Sequence, residues 1–102
     1  MVMDSAYHQA YYRARRKQIL ARRELYRMSP RGRYGQQRFH AKRRGIAWEF
    51  TFDSWWKIVE PVYKERGRLD HQLCMARKGD VGPYAPGNVK MISNLDNKQG
   101  LF

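Results

Sequence analysis

The N-terminal third of the chain carries uncharged residues at helical spacing. Seven of them follow one another at alternating steps of four and three, and we call them the uncharged stripe: Tyr7, Tyr11, Ala14, Gln18, Ala21, Leu25 and Met28. This spacing keeps side chains on one face of an α-helix. The pattern therefore predicts a long helix, capped by Asp4 or Ser5 and ended by Ser29 before Pro30, since a residue before proline disfavours helical backbone angles.

A second, shorter helix is predicted after a break. Gly32 and Gly35 predict a loop over residues 31–34, and a helix then runs from about Gln36 to Arg44 before Gly45 stops it. Its last turn contains three cations, Lys42, Arg43 and Arg44. Cations in this position suit the negative end of the helix dipole as well as phosphate.

The aromatic residues of the chain concentrate after Gly45. Residues 46–50 alternate in hydropathy and predict a short strand. Thr51 is placed to cap a helix that begins near Phe52 and continues until Pro61 bends or ends it. Trp55 and Trp56 are adjacent and point about 100° apart on a helix, so we expect one in the core and the other partly exposed.

The C-terminal third predicts strand, loop, strand and helix in that order. The strands cover Leu73–Arg77 and Asn88–Ser93, a turn covers residues 78–83, and Ser93 or Asn94 caps a final helix that reaches Gln99. The fold class is thus α+β, a long basic N-terminal helix followed by a small body with a C-terminal β-hairpin and helix. We divide the chain into a basic helical arm, residues 1–45, and a small α+β domain, residues 46–102.

Charge separates the same two parts. The 102 residues include 21 Lys and Arg against nine Asp and Glu, a formal net charge of +12, and residues 1–45 alone carry +11 of it. A chain of this length excludes a multi-domain enzyme, and no run approaches the ~18 apolar residues of a membrane span. One cysteine excludes an internal disulfide and a cysteine-based zinc cluster. We expect a cytoplasmic protein without a secretory signal, whose partner is an anion.

Arginine-rich segments with interleaved tyrosines are typical of nucleic-acid binding, because cations displace counterions from phosphates and aromatic rings stack on bases. Arginine outnumbers lysine 14 to 7, which favours bidentate phosphate contacts. We therefore expect double-stranded DNA as the partner. The predicted phosphate ligands are Arg13, Arg16, Arg23, Arg27, Lys42, Arg43, Arg44, Arg77 and Lys90.

The C-terminal segment also carries a motif. Residues 75–93 read MARKGDVGPYAPGNVKMIS, with Asp96 and Asn97 following. This segment resembles the Gly-Tyr-x-Pro-Gly-Asn-Val-(Arg/Lys)-x-Ile-(Ser/Thr) signature of small phage-encoded HNH, or His-Me finger, endonucleases. Residues 41–46 and the helix start at residues 51–55 resemble the segment that precedes the signature. The resemblance implies a ββα fold, DNA as the substrate and, in a phage protein, the host cell cytoplasm as the location.

The resemblance also implies a catalytic site. In the nuclease members, the first strand ends in a His or Asp that activates water or holds a divalent metal, whereas residues 75–78 contain neither. The remaining catalytic candidates are Asp80, Asn88, Asn97 and His71, with Mg²⁺ or Mn²⁺ as the cofactor if the site is active. Each has an ordinary structural alternative, such as forming a turn or decorating a helix.

Three functions remain open from the sequence. The leading one is a DNA-binding protein related to HNH endonucleases with weak or no cleavage. The second is an active metal-dependent endonuclease. The third is a phage-encoded inhibitor that docks its basic surface on an acidic host protein or in a host nuclease channel. Separately, the uncharged stripe is long enough for two copies of the chain to form a homodimer.

Overall fold

The N-terminal helix is confirmed. The structure, a computed structural model, describes residues 5–102, and α1 covers Ser5–Met28. No residue of α1 is buried, so its conformation depends on intrinsic propensity more than on packing. The predicted cap at Asp4 lies outside the described residues, and Ser5 is the first residue of the helix. Ser29 ends α1 as predicted.

The loop predicted over residues 31–34 is wrong, because α2 covers Pro30–Arg43. Proline suits a first helical position, where its missing N–H has no helical partner. The Ser29 hydroxyl accepts a hydrogen bond from the Gly32 amide at 3.2 Å and so caps the helix. A Cβ atom on Gly32 would lie 2.0 Å from the Tyr26 carbonyl oxygen. Gly32 therefore permits a close backbone approach instead of breaking the helix.

The end of α2 is set by Gly45, as predicted. Gly45 has a φ of 72°, a left-handed conformation that glycine adopts without steric cost. Its amide donates to the Lys42 carbonyl at 3.1 Å, and the Ile46 amide donates to the Ala41 carbonyl at 2.9 Å. These two hydrogen bonds form a Schellman motif, which satisfies the last carbonyls of the helix.

The chain divides into two compact units, one ending at Arg33 and the other beginning at Tyr34. Within the second unit, the Tyr34 hydroxyl donates to the Phe50 carbonyl at 2.9 Å. Gln37 accepts a hydrogen bond from Trp55 Nε1, also at 2.9 Å. Tyr34 and Gln37 lie on the other side of the division that we predicted after Gly45 from their partners Phe50 and Trp55, and that division stays a prediction.

Residues 46–50 do not form the predicted strand. Trp48 makes only an isolated parallel bridge with Tyr84, in which the Glu49 amide donates to the Tyr84 carbonyl at 2.8 Å and the Tyr84 amide donates to the Ala47 carbonyl at 2.9 Å. The partner segment contains Pro83 and Pro86. Because proline has no N–H to donate, the ladder cannot extend beyond this bridge.

The next helix begins as predicted. α3 covers Phe52–Val59, and the Thr51 side chain accepts from the Ser54 amide while the Ser54 side chain accepts from the Thr51 amide, forming a capping box. A 3-10 segment, Glu60–Glu65, follows with Pro61 in its first turn. Trp55 is fully buried and Trp56 is partly exposed, which confirms the expected division between the two rings.

The C-terminal hairpin and helix are also confirmed. β1 (Leu73–Arg77) pairs antiparallel with β2 (Val89–Ser93), with Leu73 opposite Ser93 and Arg77 opposite Val89. β2 thus begins one residue later than predicted. α4 covers Asn94–Lys98, and the Ser93 side chain caps it by accepting from the Asp96 amide at 3.0 Å. In residues 5–102 the fold is α+β, with four α-helices and one two-stranded sheet.

The core of the second unit is small and largely aromatic. Phe50, Trp55, Val59 and Met75 form a buried cluster. Partly buried rings surround it, and the Tyr34 ring packs edge-on against both Trp48 and Trp55 with centroids 5.5 Å apart. Such aromatic pairs each contribute about 0.5–1.5 kcal/mol beyond the area they bury. Over residues 5–102, no helix has both the length and the apolar character required to cross a membrane.

Candidate nucleic-acid interface

Four of the predicted phosphate ligands share one face of α1. Arg13, Arg16, Arg23 and Arg27 follow one another at steps of three, seven and four, which places them within an arc of roughly 80° at 3.6 residues per turn. All four side chains are exposed, and we call this surface the arginine face. The same geometry puts the uncharged stripe on the opposite side of the helix.

Little negative charge offsets the arginine face. Glu24 is the only carboxylate in Ser5–Met28, and it forms an ion pair with Arg27 in which the side chains stay 50% and 61% exposed. The hydrogen bond that Arg27 donates to the Glu24 carboxylate, together with the charge of that carboxylate, raises the pKa of Arg27. Because like charges three or four residues apart on a helix destabilise it by tenths of a kcal/mol, an external polyanion would stabilise α1.

The three cations at the end of α2 are presented to solvent. Lys42, Arg43 and Arg44 are exposed, since the Schellman motif at Gly45 uses only their backbone groups. The Arg43 guanidinium lies 5.9 Å from the centre of the Phe39 ring, which is itself 56% exposed. A cation beside an exposed ring can contact both a phosphate and a base.

Arg77 is the predicted ligand least accessible to phosphate, because its side chain is only 9% exposed. Its Nη1 donates to the Gly82 carbonyl at 2.7 Å, and its Nη2 donates to Asp80 Oδ1 at 3.1 Å. Its guanidinium carbon lies 5.4 Å from the centre of the Tyr84 ring. These contacts hold the turn after β1, whereas Lys90 on β2 is exposed.

Asn88 holds the same turn from the other strand. Its side-chain amide donates to the Val81 carbonyl at 2.9 Å and to the Pro83 carbonyl at 2.8 Å. Both side-chain N–H groups are thus used inside the turn. A Cβ on Gly82 would lie 3.0 Å from Asn88 Nδ2, so the amide packs closely against the backbone that it fixes.

The four catalytic candidates are not gathered at one point. Asp80 and Asn88 lie at the end of the hairpin where Arg77 pairs with Val89, and His71 precedes the other end, where Leu73 pairs with Ser93. The four residue steps between these ends span about 14 Å. Asn97 is exposed on α4, and His71 and Asp80 are exposed as well.

The surroundings of His71 are occupied by a surface ion pair. Lys98 Nζ lies 2.8 Å from Asp70 Oδ1. The Lys98 hydrogen bond, and secondarily its charge, lower the pKa of the Asp70 carboxyl. This pair joins the loop before β1 to the last turn of α4.

The described residues form neither a metal-binding cluster nor an activated thiol. Among residues 5–102, no group of three His, Cys, Asp or Glu side chains is close enough to hold a metal ion. Partial burial raises the pKa of the Cys74 thiol, an effect that the charge of Arg66 opposes. A raised pKa disfavours the thiolate and hence nucleophilic chemistry.

Two polar positions matter more than the sequence indicated. Gln37 links three elements of the second unit, because it accepts from Trp55 Nε1 at 2.9 Å and from Arg66 Nη2 at 3.4 Å while it donates to Met75 Sδ at 3.3 Å. Lys17, exposed beside the arginine face, extends the basic surface. The helical position of Lys17 was a usable signal, whereas no local pattern indicates a core role for Gln37.

Comparison of the chain with protein-family models, with curated proteins and with solved structures gave no match.

Proposed function

We propose that the protein binds double-stranded DNA through the arginine face of α1, assisted by the cations at the end of α2. The observation that carries this proposal is the alignment of Arg13, Arg16, Arg23 and Arg27 on one exposed face of a helix that contains a single carboxylate. Each phosphate that such a row neutralises releases counterions, which strengthens binding and makes it depend on salt.

The dimensions of α1 suit a duplex. A helix of 24 residues is about 36 Å long, which matches roughly one turn of B-DNA. From Arg13 to Arg27 the row covers about 21 Å at 1.5 Å per residue, enough to follow several consecutive phosphates. Arginine contributes planar, bidentate contacts that suit phosphate oxygens.

We further propose that the protein is a relative of the HNH endonucleases with weak or no cleavage. The order of hairpin and helix fits a ββα unit, and the signature residues lie on it. Two observations argue against cleavage. The side chains of Arg77 and Asn88 are used in hydrogen bonds within the turn. His71 lies at the opposite end of the hairpin from Asp80, so the two cannot act at one point. The partly buried thiol of Cys74 suits a reducing host cytoplasm, where we place the protein.

One gel tests this proposal against its alternatives. Supercoiled plasmid is incubated with the purified protein in low salt, with and without Mg²⁺ or Mn²⁺, and both mobility and nicking are scored. We expect retarded plasmid that stays supercoiled under all conditions. The protein would instead be an endonuclease if nicking requires metal and if Asp80→Ala or Asn88→Ala abolishes it. The absence of both retardation and nicking would contradict DNA binding and would favour an acidic protein partner.

A further inference from the structure

The uncharged stripe of α1 has the spacing of a helix-pairing surface. Tyr7, Ala14, Ala21 and Met28 recur every seven residues, and Tyr11, Gln18 and Leu25 recur every seven between them. Two such series, offset by four and three, are the contact positions of a left-handed helix pair. None of the seven is buried; Tyr7 is 64% exposed and Leu25 is 72% exposed.

The size of the stripe makes self-pairing weak. It covers three heptads, the lower limit of length for a coiled coil. Its middle consists of Ala14, Gln18 and Ala21, which allow two helix backbones to approach closely but bury little apolar area. Its large apolar side chains lie toward the two ends of the helix.

The residues that border the stripe oppose pairing of two free copies. On one border lie Arg15 and Arg22, and on the other lie Lys17 and Glu24, whose carboxylate is already paired with Arg27. In a parallel pair, Lys17 of one copy lies opposite Arg22 of the other. In an antiparallel pair, Arg15 lies opposite Arg22. Residues at these bordering positions set partner choice in helix pairs, and like charges there are repulsive.

Nucleic acid removes this repulsion without covering the stripe. The arginine face lies on the opposite side of the helix, so a duplex bound there leaves the stripe accessible. The bordering cations stay within about 10 Å of the bound phosphates, comparable to the Debye length at 0.1 M salt. Neutralisation of these cations by the phosphates lowers the cost of bringing two copies together.

We infer that two copies of the protein pair through the uncharged stripe when they are bound to nucleic acid, and that the free protein stays monomeric. This inference rests on the proposed function, since the duplex supplies the negative charge. It assigns the two faces of α1 to different partners, the arginine face to phosphate and the uncharged stripe to a second copy of the chain.

The test uses the full chain and sedimentation with a duplex in excess over protein. Independent binders then distribute as one copy per duplex, whereas pairing gives two copies per duplex. We expect two copies per duplex, with the second bound at least about tenfold more tightly than the first, equivalent to about 1.4 kcal/mol. Without DNA we expect a monomer at the same protein concentration and salt.

Two double variants locate the pairing surface. Tyr11→Gln with Leu25→Gln changes the stripe and should give one copy per duplex, with the affinity of that single copy within about threefold of wild type. Ile19→Gln with Tyr26→Gln replaces the same kinds of exposed residue on another face and should still give two. Equal loss of pairing in both variants would overturn the assignment.

The remaining outcomes distinguish a failure of pairing from a failure of DNA binding. Wild-type protein that binds as one copy per duplex overturns pairing and leaves DNA binding intact. A dimer already present without DNA overturns the role of the duplex. Absence of any protein–DNA complex overturns both the inference and the proposed function.

Discussion

Arg77 shows how a cation inside a motif takes on a structural role. Its guanidinium contacts the Gly82 carbonyl, the Asp80 carboxylate and the Tyr84 ring. Asp80, held by this ion pair, has a φ of 56°, a conformation unusual for a residue with a Cβ atom. The hydrogen bonds from Arg77 help to stabilise the turn in which Asp80 adopts it.

We predict that Arg77→Met lowers the free energy of unfolding by about 1–3 kcal/mol, because a charged donor to the Gly82 carbonyl is lost. Urea denaturation measures this change. Asp80→Asn is the matched control and should cost less, since its side chain is 84% exposed. Unchanged stability together with weakened DNA binding in Arg77→Met would instead return Arg77 to the phosphate ligands.

The sequence predicted a turn after β1, but it did not reveal that Arg77 and Asn88 stabilise this turn. The partners of Arg77 and Asn88 include the carbonyls of Gly82, Val81 and Pro83. The direction of a carbonyl depends on the backbone path of the whole turn and not on the residue that carries it. For this reason we predicted Arg77 as a phosphate ligand, although its guanidinium is directed at the turn.

At the scale of elements, local signals were sufficient where they act within a few residues. The helix cap at Thr51 and the helix end at Gly45 were both predicted, as was β1 with its bounds. The errors at residues 31–34 and 46–50 have tertiary causes. Gly32 is required by the Tyr26 carbonyl beside it, and the strand that residues 46–50 would form has no partner beyond Tyr84.

α1 is the element with the least support from packing. It has no buried residue and many like charges, so we predict fast amide hydrogen exchange over residues 7–28 in the free protein and protection on adding duplex DNA. Amides of β1 and α3 should be protected in both states and are the internal control. Strong protection of α1 without DNA would contradict this prediction.

At the scale of the molecule, charge and core occupy different parts of the chain. The buried cluster lies entirely in the second unit, whereas the arginine face lies in the first. Tyr34 and Gln37, which our division after Gly45 assigned to the arm, pack with the aromatic core of the second unit. Their hydrogen bonds join residues 16 and 18 positions apart. A local sequence pattern does not reveal contacts at such separations.

We predict that removing residues 1–29 leaves the second unit folded, with a fragment that resists limited proteolysis. Removing residues 1–45 should lower the melting temperature by at least about 10 °C relative to that fragment, because about 2 kcal/mol or more of contacts from Tyr34 and Gln37 is lost. Equal melting temperatures for the two truncated chains would support the boundary after Gly45.

The salt dependence of DNA binding tests whether the arginine face contacts phosphates. Affinity for a duplex is measured between about 50 and 200 mM salt for wild type, for the triple variant Arg13→Ala, Arg16→Ala, Arg23→Ala, and for a control with Lys57, Lys64 and Arg68 changed to Ala. Both variants lose three exposed cations, and alanine preserves the helix.

We predict that the log–log slope of the arginine-face variant falls by about one unit for each lost phosphate contact, roughly three in all, with weaker binding throughout. The control should keep the wild-type slope. An arginine-face variant that retains both the affinity and the slope of wild type, or a control that loses as much, would contradict the assignment of this face to DNA.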